Sequence, residues 1–299
     1  MFDCLVAGDA NVDLLVDGII ALEPGTEKLA SNLELVLGGS SAITAFNLSR
    51  LGVKVAFAGV IGCDLFGRFV EEKLLSAGVD IRLLRRIDAQ KTGVTIWHSH
   101  RGERAGVTYS GSIAMLEVGD VPEQALKSAK HLHVGAYYLQ SNFHAGAPKL
   151  FARAKALGLT TSVDCNYDPA EVWDSNLRAV LEYTDVFFPN ENEARAITRT
   201  AKASEAAREL AKVAKVVVVK RGSLGALIAT REKQFEVPAI PVDVVDSVGA
   251  GDSFNAGFLS RFILSQSMQD EDLEACAEAG ALAASRSVGK VGGTAAFED

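Results

Sequence analysis

The 299 residues carry 30 Lys and Arg against 38 Asp and Glu, a formal charge of −8, with 48% hydrophobic and 23% charged residues. That composition supplies a large globular core, and its negative balance argues against a nucleic-acid surface, which needs a basic footprint. No run approaches the roughly 20 apolar residues that cross a bilayer, no basic-then-apolar leader opens the chain, and the four cysteines form no Cys-x-x-Cys pair. A cytoplasmic protein with reduced thiols and no membrane contact is the expectation.

Apolar runs of strand length alternate along the chain with amphipathic helical ones. Residues 5–7 open as a strand, 42–51 read as a helix stopped by Gly52, 53–58 as a strand, and 66–77 as a helix stopped by Gly78. Further strands are expected at 131–135, 160–163, 186–188 and 216–219, with helices at 145–156, 192–198 and 204–215. Repeated β–α alternation predicts a mostly parallel sheet covered by helices, with ligands at the carboxyl ends of its strands. Segments 13–36 and 91–110 break the rhythm with short alternating pieces, and Arg101-Gly102-Glu103 has the polar look of a hairpin tip. His131 and His133 share a strand face but lack a third ligand at sensible spacing, so they read as core histidines.

The stretch 246–258, Asp-Ser-Val-Gly-Ala-Gly-Asp-Ser-Phe-Asn-Ala-Gly-Phe, carries the most chemistry. Residues 238–245 alternate like a strand, and Phe254, Phe258, Leu259 and Phe262 recur at helical spacing. Gly249, Ala250 and Gly251 then fall in the turn between them. Unpaired amides at a helix start attract anions, and small side chains let a phosphate come close. Asp252 beside such a site is a poor phosphate ligand and a good base for an attacking hydroxyl. The blander alternative makes Asp252 an N-cap and the glycines a tight turn.

This run resembles the second signature of the PfkB, or ribokinase-like, carbohydrate kinase family, and other segments resemble that family in order from Gly8 to Thr294. The resemblance implies one three-layer α/β/α, Rossmann-like domain over residues 1–299, with a small β-sheet lid built from about 13–36 and 91–110. The segment beginning Gly38-Gly39-Ser40-Ser41 resembles the first signature, implying that Gly38 and Gly39 open a helix touching the sugar. Ile43 stands where the family usually has Asn, so Ser40, Ser41 or Asn47 is the candidate for the missing polar contact. Asp13 corresponds to an acid that holds sugar hydroxyls.

Asn190 and Glu193 resemble an Asn-x-x-Glu element that orders magnesium and its waters, which a helix cap would explain equally well. Lys220, Gly222 and Gly225 resemble the nucleotide-binding turn, Lys220 being either a phosphate contact or solvated. Residues 281–286, with Ala284, resemble the segment flanking adenine, and Asp246 with 289–294 implies a monovalent-cation site, potassium being the candidate. Asp168 occupies a position where some sugar-acid kinases carry Arg, which disfavours an anionic sugar. The expected activity is ATP- and magnesium-dependent phosphorylation of a hydroxyl on a small sugar or sugar-like compound, in a chain that pairs through its lid as a homodimer. A nucleoside kinase is the nearest alternative, and a non-catalytic sugar or nucleotide sensor the alternative of another class.

Overall fold

The computed structural model describes residues 1–18, 23–100 and 103–298. The hairpin tip expected at Arg101-Gly102 lies outside the described residues, as does part of the first lid segment. Strands β1 (Phe2–Ala7), β4 (Val55–Gly62), β5 (Asp80–Ile87), β8 (Ala129–Val134), β9 (Thr160–Val163), β10 (Val186–Phe187) and β11 (Val216–Lys220) run parallel. Two antiparallel strands, β12 (Ala226–Thr230) and β13 (Gln234–Val237), finish the sheet, whose order is β13-β12-β11-β10-β9-β8-β1-β4-β5. The second sheet joins β2 (Asn11–Asp17), β3 (Asn32–Gly38), β6 (Gly93–His100) and β7 (Glu103–Tyr109) in the order β3-β2-β6-β7, where the lid was expected.

The layering follows from the two-residue period of a strand. Along β1, Cys4 and Val6 enter one core while Leu5 and Ala7 enter another on the opposite face. The first core is closed by helices α1 (Ser40–Arg50), α2 (Leu65–Ser76), α8 (Ala250–Ser265) and α9 (Asp270–Val288). The second is closed mainly by α4 (Ala147–Ala156), α5 (Leu177–Leu181) and α7 (Ala203–Leu210), while α3 (Glu123–Lys127) and α6 (Glu191–Thr198) complete the set. Phe258 and Phe262 on α8 are fully buried, as their helical spacing required.

One expected strand is absent. Residues 238–249 form an irregular segment, because Pro238 and Pro241 lack the N–H groups a ladder needs. Their alternation has another cause: Ile240, Val242 and Val244 line a cavity.

His131 and His133 are buried on the sheet, as expected of core residues. Both ring nitrogens of His131 are hydrogen-bonded, to Thr160 and Ser162 at 2.7 Å, and His133 Nδ1 shares Ser162 at 2.8 Å. Burial pushes them from 6.5 down to about 3 and about 4, respectively. The unfolded chain therefore binds protons that the folded one refuses between pH 6.5 and 4. Their stabilisation is complete above 6.5 and is lost as pH falls, each contributing a slope of up to about 1.4 kcal/mol per pH unit. Urea unfolding across that window should show the loss, and a His131→Gln/His133→Gln variant should flatten it.

Candidate active site

Carboxyl ends of four parallel strands converge on one cleft. β1 delivers Asp9, β9 delivers Asp164, β10 leads to Asn190, and β11 ends on Lys220. Helix α8 begins there too, with Gly249 as its N-cap at φ 72°, no side-chain cap, and Asp252 in its first turn. Of the amides there, Ala250 N–H donates to the Ser247 carbonyl at 3.4 Å, and the helix start as a whole carries the positive partial charge that draws an anion. A Cβ on Gly249 would collide with the Cα of Gly293, so the turn requires glycine for both φ and space. Gly249→Ala should cost about 1–3 kcal/mol of stability and lower turnover on the order of 100-fold by displacing the amides, measured by urea unfolding and steady-state rates.

Asp252 accepts a hydrogen bond from Ser40 Oγ at the start of α1. Burial, with the nearby charge of Asp164 second, pushes its carboxyl from 3.8 up to about 7, although Ser40 and Lys220 pull the other way. Asp252 thus exchanges protons near neutrality, the condition for an efficient base. Its N-cap reading fails, since Gly249 holds that position.

Lys220 is neither solvated nor free. Its Nζ lies 2.5 Å from Asp164 Oδ2 and 3.5 Å from Asn255 Oδ1, and a Cβ on Gly251 would stand 3.4 Å away. Burial alone would lower the ammonium, but the charges of Asp164 and Glu193 outweigh it and hold it above its ordinary value. Asp164, which burial would raise, is held low by Lys220 and by hydrogen bonds, including 2.6 Å from Asn255 Nδ2. A positive charge is thereby fixed beside the α8 amides.

Asn190 and Glu193 form a reciprocal capping box at the start of α6: Asn190 N–H donates to Glu193 Oε2 at 2.8 Å, and Glu193 N–H to Asn190 Oδ1 at 2.9 Å. Burial and the Asp164 charge push the Glu193 carboxyl upward. Asp164, Cys165 and Glu193 bring their ligand atoms within 4.8 Å of one another. The two carboxylates and the Asn190 amide suit a hydrated magnesium ion, whose preferred ligands are oxygens. Asp246 is buried, and its carboxylate accepts from Val248 N–H at 3.0 Å and Gly292 N–H at 2.8 Å, joining the loop before α8 to the C-terminal segment.

Lys220, Gly222, Gly225, Ala250, Gly251 and Ala284 share one cavity of about 470 Å³, walled by Ile240, Val242, Phe254 and Val288. Its apolar walls and single charged end match a flat base with a phosphate tail.

The second sheet meets this region where β3 ends at Gly38, two residues before Ser40. Asp13 shares a face of β2 and β6 with Thr95 and Trp97, and its carboxylate accepts from Asn11 Nδ2 at 3.0 Å and Trp97 Nε1 at 3.3 Å. Gly38 packs directly on Asp13, and a Cβ on Gly39 would meet Asn11 Oδ1 at 2.9 Å. These glycines are thus needed for the lid's own packing.

Asn47 is a correction. It is fully buried, donating to Ser253 Oγ and to the Gly293 carbonyl, both at 3.0 Å, so it ties α1 to α8 and does not face the cleft. Its helical face, four residues beyond Ile43, is the one α8 covers. Asp9 gains a role that its turn-like surroundings hid: its carboxylate accepts from Ser40 and Ser41 N–H at 3.0 and 2.8 Å, capping α1. Asp164 was visible as an acid just past a strand, the one signal that marks it. Asp168 accepts from the N–H groups of Ala170, Val172 and Trp173, and so organises its own loop.

A nucleoside kinase from Methanothermobacter thermautotrophicus is 28% identical over 276 residues, 92% of this chain and 85% of that protein. An ATP-dependent ribose-1-phosphate kinase from Halopiger xanaduensis is 30% identical over 83% of this chain and 80% of its own. A fructokinase from Vibrio cholerae, solved with fructose, ADP and calcium bound, superposes with a TM-score of 0.84 at 26% identity, covering 98% of this chain and 95% of that one. The sequence model of the pfkB family carbohydrate kinases matches residues 1–299, and the chain belongs to that family of phosphotransferases with alcohol acceptors.

Proposed function

We propose that this chain transfers the γ-phosphoryl group of ATP to a hydroxyl of a small, uncharged sugar or sugar-like compound, with Asp252 as the base. The observation that carries this reading is the juxtaposition at the start of α8: a carboxyl near 7, a helix N-terminus without a side-chain cap, and a nucleotide-sized cavity opening beside them. A base, furthermore, has no use in a sensor.

The acceptor hydroxyl is oriented from the lid by Asp13, whose oxygens can take two hydroxyl hydrogens. Asp252 removes its proton as the oxygen attacks. The Gly249–Gly251 amides and the Lys220 ammonium stabilise charge on the phosphoryl group in transit. Asn190 and Glu193 would hold magnesium through its waters, and the ion would neutralise the nucleotide phosphates. Closure of the lid excludes water that would otherwise compete for the phosphoryl group.

Trp97 beside Asp13 supports a second reading, a nucleoside acceptor, because an indole offers a face for a nucleobase. ADP release across pentoses, hexoses, ketoses, sugar acids and nucleosides separates the two, and no turnover on any neutral hydroxyl compound would sink both. Potassium activation belongs to the same reading: the Asp246 tie brings 246–248 and 289–294 together, as a carbonyl cage needs, and rates in potassium against sodium salts test it.

A homodimer through the lid completes the proposal. On the face opposite Asp13, Leu35, Leu14, Ile96 and Val107 are paired in register across all four lid strands, and Leu35, Ile96 and Val107 are exposed. Burying that row against a second copy removes it from water. Sedimentation should show a dimer that Ile96→Asp dissociates.

A further inference from the structure

We propose that Ser40 is itself an acceptor: with nucleotide bound and no sugar in the cleft, its hydroxyl takes the γ-phosphoryl group. The inference rests on the reading of Asp252 as the base. Ser40 Oγ donates to Asp252 Oδ1, on the carboxylate an acceptor hydroxyl must reach. Among the described residues it is the hydroxyl bound to that carboxylate. Ser41 Oγ is fully buried and accepts from Asp9 N–H at 3.2 Å, and Thr44 Oγ1 reaches only the main-chain carbonyl of residue 252, at 3.4 Å. Ser40 is half-buried, whereas Ser41 and Thr44 are fully buried.

Its position is also held in advance. The Ser40 N–H is anchored on Asp9 Oδ2 at 3.0 Å, and Gly39 before it is an N-cap at φ 88°, so little freedom is lost on reaching a reactive pose. In the step, a bond forms between Ser40 Oγ and the γ-phosphorus while the bond from that phosphorus to the β–γ bridging oxygen breaks. ADP departs with the electron pair, and the serine proton passes to Asp252 and then to solvent. The product places a phosphate beside the carboxylates of Asp252 and Asp9, where repulsion and bulk close the acceptor position. A sugar that displaces Ser40 from Asp252 protects the enzyme, so the modification silences chains left with nucleotide and no substrate.

The full chain, incubated with magnesium ATP and no acceptor, is digested and its peptides mapped by mass spectrometry. One phosphoryl group on Ser40 is expected, on the order of 100-fold less in Asp252→Asn, absent from Ser40→Ala, and suppressed by any sugar the enzyme accepts. Unmodified Ser40 in wild-type protein that turns over an acceptor overturns the inference and leaves the kinase reading intact. Modification undiminished in Asp252→Asn, or found on Ser41 or Thr44 instead, overturns it too. Acceptor turnover undiminished in Asp252→Asn sinks the reading beneath it.

Discussion

Asp252→Asn should lower turnover by roughly 10²–10⁴ while leaving nucleotide binding largely unchanged. The amide keeps the shape of the side chain and can accept a hydrogen bond from Ser40, but it cannot take a proton. In the wild-type enzyme the same residue sets the acid limb of kcat/KM near pH 7, and in the variant that limb should vanish along with the rate. Stability should move oppositely. The carboxyl titrates at about 7 when folded and near 3.8 when unfolded, so its contribution is complete below 3.8 and lost as pH rises to 7. Asparagine does not titrate, and the variant's melting temperature should gain on wild type across that interval and level off above it. A rate that stays within a few-fold of wild type would remove Asp252 from the chemistry.

Lys220→Met should lower stability by about 3–5 kcal/mol, because it leaves Asp164 buried with its charge unbalanced. Asp164 is 3% exposed, and its remaining donors, Asn255 and the Asn166 N–H, cannot supply a full positive charge. Adding Asp164→Asn to the same chain should restore much of that loss, since the pair is then removed together. Catalysis should not recover, because the ammonium beside Gly251 is still missing. Urea unfolding and single-turnover rates on the two variants separate these effects. Equal stability of the single variant and wild type would show that the pair is solvated.

Much of this arrangement was legible in the residues. The β–α rhythm identified the parallel sheet, and the run from Asp246 to Phe258 marked the start of α8 because glycine, acid and aromatic spacing all bear on the same few residues. What escaped was non-local. Asp9 caps a helix 31 residues ahead, and Lys220 finds Asp164 56 residues back, so neither partner has a local signature. Asn47 misled for a related reason: its face of α1 is defined only once α8 lies against it. Residues 238–245 misled differently, since their two-residue alternation reflects a cavity wall where a strand was expected.

The loop after β9 bears on any attempt to retarget the enzyme. Asn166, Glu171, Trp173, Ser175 and Asn176 all adopt left-handed backbone, a cost of order 1–3 kcal/mol each, and Asp168 holds three amides of that loop together. Installing arginine at 168 to welcome an acidic sugar would release that clasp before offering any new contact. Evolution toward charged substrates from this scaffold therefore has to rebuild the whole span from 166 to 176, and a single-site library there should return misfolded proteins sooner than new specificities.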